Sequence, residues 1–230
     1  MEQLLLPVSI SDHMVFDSFY PGQNLEIYQS LQANVQKLLW IAGVKGSGKT
    51  HLLQAAFHRC IRLLNPSLYI PMQEFKNFSP ELLNDLDHLD LICIDDIEFI
   101  LGNEVWERKL LDLYERLQAT DTHLVIASYE PPQGLNFFLP DLASRFSMGV
   151  IHQLEILSES EMISAIQLHA EIRGFNLPKE SANYLLRRVE RNVGSLVEII
   201  KILDYESLSK KRKLTIPFIK NILHLDNQHQ

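Results

Sequence analysis

Basic charge is in short supply: 21 Lys and Arg stand against 29 Asp and Glu, a formal net charge of −8 over 230 residues. A protein whose main task is holding duplex DNA needs a dense basic footprint to displace counterions, so the balance excludes that class and leaves room only for a local basic patch. Cysteine is nearly absent, and the two present, Cys60 and Cys93, fall in an apolar helical pattern and an apolar strand pattern. That placement speaks against a disulfide framework or a zinc site and for buried reduced thiols in a cytosolic protein. No Lys or Arg precedes Lys37, so the apolar start Leu4–Leu6 lacks the positive segment of a secretory signal. No apolar run approaches the ~18 residues of a spanning helix, which leaves the cytoplasm as the expected location. Glycine is scarce too, yet three of the nine lie between Gly43 and Gly48. What remains, with 46% hydrophobic residues, suffices for one large or two small cores.

Residues 1–12 carry the apolar cluster Gln3-Leu4-Leu5-Leu6-Pro7 and read as a flexible tail. Helical spacing of Ile27, Leu31 and Val35 precedes an apolar run, Leu38–Ala42, that reads as a buried parallel strand. Further helices are expected at 50–64, 80–86 and 105–117, and further strands at 68–70, 91–94 and 124–127. This alternation predicts an α/β domain over 13–157, a parallel sheet covered by helices on both faces. At Ser158-Glu159-Ser160-Glu161 the pattern changes to a helix N-cap signal. Helices at 162–173, 179–188, 194–208 and 216–225 then make a small all-helical domain over 158–230.

Gly43-Val44-Lys45-Gly46-Ser47-Gly48-Lys49-Thr50 matches G-x-x-x-x-G-K-[ST] and stands between a predicted strand and a predicted helix, where a phosphate loop must stand. Its glycines permit positive φ and close backbone approach, so that N–H groups and the helix N-terminus cradle phosphate oxygens. Lys49 is placed to neutralise β and γ phosphates and the Thr50 hydroxyl to bind Mg²⁺, with His51 following in the helix. Such a loop calls for an acid at the end of another strand, and Ile92-Cys93-Ile94-Asp95-Asp96 supplies two. Asp95 is the candidate to hold Mg²⁺ through water and Asp96 to orient or activate an attacking water. Taken alone, an apolar strand ending in two acids is more often a solvated turn.

The phosphate loop, the strand ending Ile94-Asp95-Asp96-Ile97-Glu98, the later triplet Ser144-Arg145-Phe146 and the C-terminal helices together resemble the AAA+ module of the bacterial replication initiator DnaA. The stretches Leu139–Arg145, Arg173–Pro178 and Lys213–Phe218 resemble a regulatory branch of that family. The initiator carries a basic helix-turn-helix domain after its lid, and this chain stops within a few residues of the predicted 216–225 helix. DNA is therefore expected only indirectly. The tail resembles the pentapeptide that bacterial proteins insert into the sliding clamp, with the Gln3 amide on the pocket rim, Leu4 and Leu6 in an apolar pocket, and Pro7 closing the motif. Outside that context the same residues would read as a strand packing on their own domain.

The resemblance implies a protein that binds ADP or ATP with Mg²⁺, docks on the clamp and stimulates hydrolysis by ATP-bound DnaA, leaving the inactive ADP form. It places Arg145 at the family's arginine-finger position, reaching a neighbouring subunit's nucleotide. Its alternative is a self-assembling AAA+ ATPase such as a helicase or transposase loader; self-association stays open.

Two departures bear on turnover. Tyr129 stands where relatives commonly have a sensor aspartate, which passes that role to Ser128 or weakens it. The lid positions for a nucleotide-contacting arginine hold Gly194 and Glu198, with Arg191 and Lys201 as substitutes. In Phe16–Gly22 the aromatics resemble residues that pack beside adenine, and read equally well as core. Lys210–Lys213 reads first as a solvated turn and second as a DNA contact near the clamp, and Trp40 and Trp106 as core or partner-contact residues.

Overall fold

The computed structural model describes residues 10–11, 13–34, 36–189, 192–210 and 214–223. Five parallel strands form one sheet: β1 (Leu38–Ala42), β2 (Ser67–Pro71), β3 (Leu91–Asp95), β4 (His123–Ser128) and β5 (Val150–Gln153), in the order β2-β3-β4-β1-β5. β3 is buried along its whole length, and β1 and β4 all but their first residues. Burial on both faces is why these three strands are continuous apolar runs in the sequence. The edge strand β5 reads Val-Ile-His-Gln with both ends exposed, and so has no apolar run to announce it.

Four helices flank the sheet: α1 (Leu25–Ala33), α2 (Lys49–Arg62), α3 (Glu104–Leu117) and α4 (Pro140–Phe146). Successive strand residues face opposite sides. On one side α2 covers Tyr69, Cys93 and Asp95: the Phe57 and Tyr69 rings lie 6.2 Å apart, and the Cys93 thiol reaches the Leu53 carbonyl at 3.6 Å. On the other, Trp40, Ile92, Ile94 and Ile126 pack with Trp106, Leu110 and Leu113 of α3 and Phe146 of α4. The Asn103 side chain caps α3, accepting from the N–H groups of Val105 and Trp106. Both cysteines are free and buried, and burial pushes both thiol pKa values up.

The helix expected at 80–86 is a short 3₁₀ segment, Pro80–Leu83, capped by Ser79. Asn84 is extended and Asp85 turns left-handed at φ +55°, a conformation that Asp adopts more readily than most side chains, so the helix stops. Leu83 and Leu86 still reach the core, which accounts for their helix-like spacing.

A second compact unit consists of α5 (Glu159–Ile172), α6 (Lys179–Leu186), α7 (Val193–Lys210) and α8 (Ile216–Leu223), together with Asp17–Gln23. Its core includes Ile166, Leu185, Leu196, Ile200 and Ile219. The expected N-cap is there as a full capping box between Ser158 and Glu161. The segment before α1 joins this unit at Gly22, where a Cβ would stand 2.8 Å from Leu157 Cδ2 and 2.9 Å from Glu161 Oε1.

Phe146 ties α4 to the sheet: it is fully buried, with ring centroids 5.5 Å from Trp40, 6.0 Å from Tyr114 and 6.2 Å from Phe137. Phe146→Ala is expected to lower unfolding stability by about 3–5 kcal/mol. Urea denaturation checks this, and a wild-type midpoint would count against Phe146 as the anchor.

Candidate functional site

Between the end of β1 and the start of α2 the chain turns on Gly46 (φ +83°) and Gly48 (φ +103°), conformations open to glycine at no steric cost. The Gly43 N–H donates to the Ser128 carbonyl at 3.1 Å, which pins the start of the turn to β4. A Cβ on Gly43 would sit 2.6 Å from Ser47 Oγ and 3.1 Å from Leu154 Cβ, so the loop closes tightly there. Val44, Lys45 and Gly46 are exposed on its rim, and Ser47 and Lys49 are buried. The opening N–H groups of α2 have no acceptor within the helix and carry its partial positive charge. Lys49 Nζ donates to the carbonyls of Gly43 (2.6 Å) and Val44 (3.2 Å), inside its own loop. Among the described residues the buried Ser47 hydroxyl has no hydrogen-bond partner. An orphaned hydroxyl, an ammonium and a helix N-terminus around one glycine turn fit a phosphate group.

Asp95 ends β3, buried, with the Tyr69 hydroxyl donating to Oδ2 at 2.8 Å and the Asp96 N–H to Oδ1 at 3.1 Å. Thr50, in the first turn of α2, stands close enough to the same carboxylate to lower its pKa. Burial above all, then the charge of Asp96, pushes the Asp95 pKa up to about 6, although Thr50, Tyr69 and Lys49 pull it down. Asp96 is left-handed at φ +53°; burial raises its pKa and Lys49 opposes the shift. Asp95 and Thr50 offer two oxygens to a Mg²⁺ ion, whose remaining ligands would be phosphate and water.

A third acid belongs here. For Glu98, in the turn Ile97–Phe99, burial above all raises the pKa, Asp96 adds to the shift, and Lys49 and the nearby Tyr129 backbone oppose it. Glu98 Oε2 is buried without a hydrogen-bond partner among the described residues. Nothing in the strand pattern marks Glu98 except its place three residues after Asp95. Three carboxylates face the single Lys49 ammonium, an excess of negative charge that a divalent cation would offset.

Ser128 does not offer a free hydroxyl for sensing. It is fully buried, accepts from Trp40 Nε1 at 2.8 Å and donates to the Glu130 carbonyl. Tyr129 projects into solvent. His51 Nε2 bonds the Val15 carbonyl at 3.0 Å; with Gln54 and His58, which bond Ser11, it fastens Ser11 and Val15 to α2. Phe16 is buried edge-on against Tyr28, with centroids 5.4 Å apart, as a core aromatic.

Arg145 is not brought to this site. It lies on the α3–α4 side of the sheet, with Nε 3.0 Å from Asp141, a terminal nitrogen 3.2 Å from Glu115, and Cζ 5.8 Å from the centre of the Tyr114 ring. In the helical unit Gly194 and Glu198 stand on α7, and Lys201 pairs with Glu198 at 2.6 Å. Gln3, Leu4, Leu6, Pro7, Arg191 and 211–213 lie outside the described residues. No helix among the described residues is long and apolar enough to cross a membrane.

The family model of the bacterial DnaA ATPase domain matches residues 11–153, and that of the Hda lid domain matches residues 159–223. The chain belongs to the bacterial DnaA ATPase-domain family and carries a lid of the Hda type: it is a DnaA-like AAA+ protein related to replication initiation. Domain III of the Thermotoga maritima replication initiation protein DnaA is 24% identical at a TM-score of 0.78, over 96% of this chain and 100% of that one. AMPPCP-bound DnaA from Aquifex aeolicus is 24% identical at 0.72, over 89% of this chain and 70% of that one. Replication initiator DnaA bound to AMPPCP and single-stranded DNA is 25% identical at 0.71, over 89% and 69%.

The raised pKa of Asp95 sets a pH dependence. Against an unfolded value near 3.9, the folded chain holds the Asp95 proton more tightly between about pH 4 and 6. This group's contribution to stability is fully present below pH 4 and is lost as pH rises through about 6. Thermal denaturation in EDTA is expected to show Asp95→Asn flattening this slope and stabilising the chain at pH 7, while titration with Mg²⁺ and nucleotide shows weaker binding. An unchanged slope would remove Asp95 as its source.

Proposed function

We propose that this chain is a nucleotide-bound cytoplasmic regulator of replication initiation that docks on the sliding clamp and stimulates ATP hydrolysis by DnaA, leaving the initiator in its inactive ADP form. Gln3, Leu4, Leu6 and Pro7 make the clamp contact, and DNA is reached through the clamp. The residues Gly43–His51, with Asp95, hold ADP or ATP with Mg²⁺, and Arg145 acts in trans on the initiator's nucleotide.

The observation that carries the reading is the placement of Arg145. About a third of its side chain is exposed (32%), on α4, which packs with α3 on the sheet face opposite α2. Asp141, Glu115 and Tyr114 hold the guanidinium in place at the protein surface, where a second subunit can meet it. A planar guanidinium stabilises charge developing on a transferred phosphoryl group and contributes on the order of 10³ to 10⁵ in rate. Within the chain, Lys49 and the α2 N-terminus bind phosphates, Thr50 and Asp95 hold Mg²⁺, and Asp96 orients water. Bound Mg²⁺ would neutralise charge on the β and γ phosphates.

The test is phosphate release from ATP-loaded DnaA in the presence of clamp on DNA. Arg145→Ala is expected to reduce the stimulated rate on the order of 10³-fold while leaving ADP binding unchanged. Full stimulation by that variant overturns the reading. Deleting residues 1–8 is expected to abolish co-migration with the clamp, and unchanged co-migration overturns the tail assignment. The retention of Asp96 beside Asp95 favours a loader-type ATPase as the second reading. That reading requires clamp-independent turnover that falls with Asp96→Ala.

A further inference from the structure

We infer that Glu107, on α3, is a positioning residue that aims Arg145 and ties its helix to the turn following the nucleotide-site acids. The inference rests on the reading of Arg145 as a finger acting in trans. Glu107 is completely buried, where a carboxylate is costly unless its oxygens are satisfied. Three backbone N–H groups satisfy them: Oε1 accepts from Gly102 (2.7 Å) and Phe138 (2.9 Å), and Oε2 from Leu139 (2.7 Å). Hydrogen bonds to a charged acceptor are stronger than neutral ones.

The three donors come from two places that matter. Leu139 is the N-cap residue of α4 and makes no side-chain cap, so Glu107 caps that helix from a distance. α4 has only seven residues, and its direction is set by this anchor at one end and by the buried Phe146 at the other. Arg145 sits between them. Gly102 lies beyond the turn Ile97–Phe99, which follows Asp95 and Asp96 directly. One carboxylate therefore joins the backbone downstream of the nucleotide site to the backbone that carries the finger.

Glu107→Gln separates these bonds. Its amide oxygen keeps Gly102 and Phe138, and its NH₂ meets the Leu139 N–H with no acceptor, which frees the start of α4. Hydrogen exchange on the full chain is expected to open the Leu139 amide on the order of ten-fold faster, and unchanged protection overturns the inference whatever Arg145 does. In the clamp-dependent assay the maximal stimulated rate is expected to fall on the order of ten- to a hundred-fold, with half-saturation by DnaA and binding of fluorescent ADP unchanged. Combined with Arg145→Ala, the double variant should be no slower than Arg145→Ala alone; multiplied losses overturn the inference. Full stimulation by Glu107→Gln beside a dead Arg145→Ala overturns the inference and spares the finger. Full stimulation by Arg145→Ala overturns both. Should the Gln variant fail to fold, Glu107→Asp, with the same charge and a reach one methylene shorter, is scored by the same readouts.

Discussion

Lys49 is buried at the C-terminal edge of a parallel sheet, and its surroundings are arranged around that one charge. Two loop carbonyls hold its ammonium from behind, while Asp95, Asp96 and Glu98 supply negative charge from the neighbouring strand end and turn. The strand order makes this juxtaposition: β4 stands between β1 and β3, so the loop after one strand and the acids after the other face a common hollow. Burial above all raises the pKa values of Asp95, Asp96 and Glu98, with the charge of Asp96 adding to the shifts of the other two, a state that favours the arrival of a cation with its phosphates.

The sheet separates two kinds of chemistry. The phosphate loop opens at the C-terminal edge and leads into α2 on one face, while α3 and α4 on the other face carry Arg145. The partners of that guanidinium, Asp141, Glu115 and Tyr114, all belong to α3 and α4 and none to the phosphate loop. The buried carboxylate of Glu107 links the backbone at Gly102, after the acids, to Phe138 and Leu139 at the start of α4. Such a link couples positions through a rigid hydrogen-bonded element rather than through a chain of loose contacts.

Much of this was legible before any coordinates. Gly43–Thr50 is a local motif whose residue types follow from phosphate geometry, and the β3 run announces its own burial and its two acids. The 80–86 segment was read as a helix because Leu83 and Leu86 have helical spacing; Asp85, in a left-handed conformation, satisfies the core in a different way. Ser128 looked available for sensing until Trp40, from a strand 88 residues away in sequence, took its hydroxyl. Glu98 enters the sequence reading only as the end of the stretch Ile94–Glu98, and Glu107 not at all, because their meaning lies in partners that only folding brings near.

The sequence by itself determined the alternating α/β order, the phosphate loop, the strand-end acids and the change to an all-helical lid, since each depends on periodicity or on spacing within a few residues. Tertiary structure alone decided which face each side chain serves. It put a third carboxylate beside Lys49, closed Ser128 off, set Arg145 on the far side of the sheet and buried Glu107 against three N–H groups. The reason is physical: a charge or hydroxyl acquires its role from the desolvated partners around it, and those come from strands and loops distant in the chain.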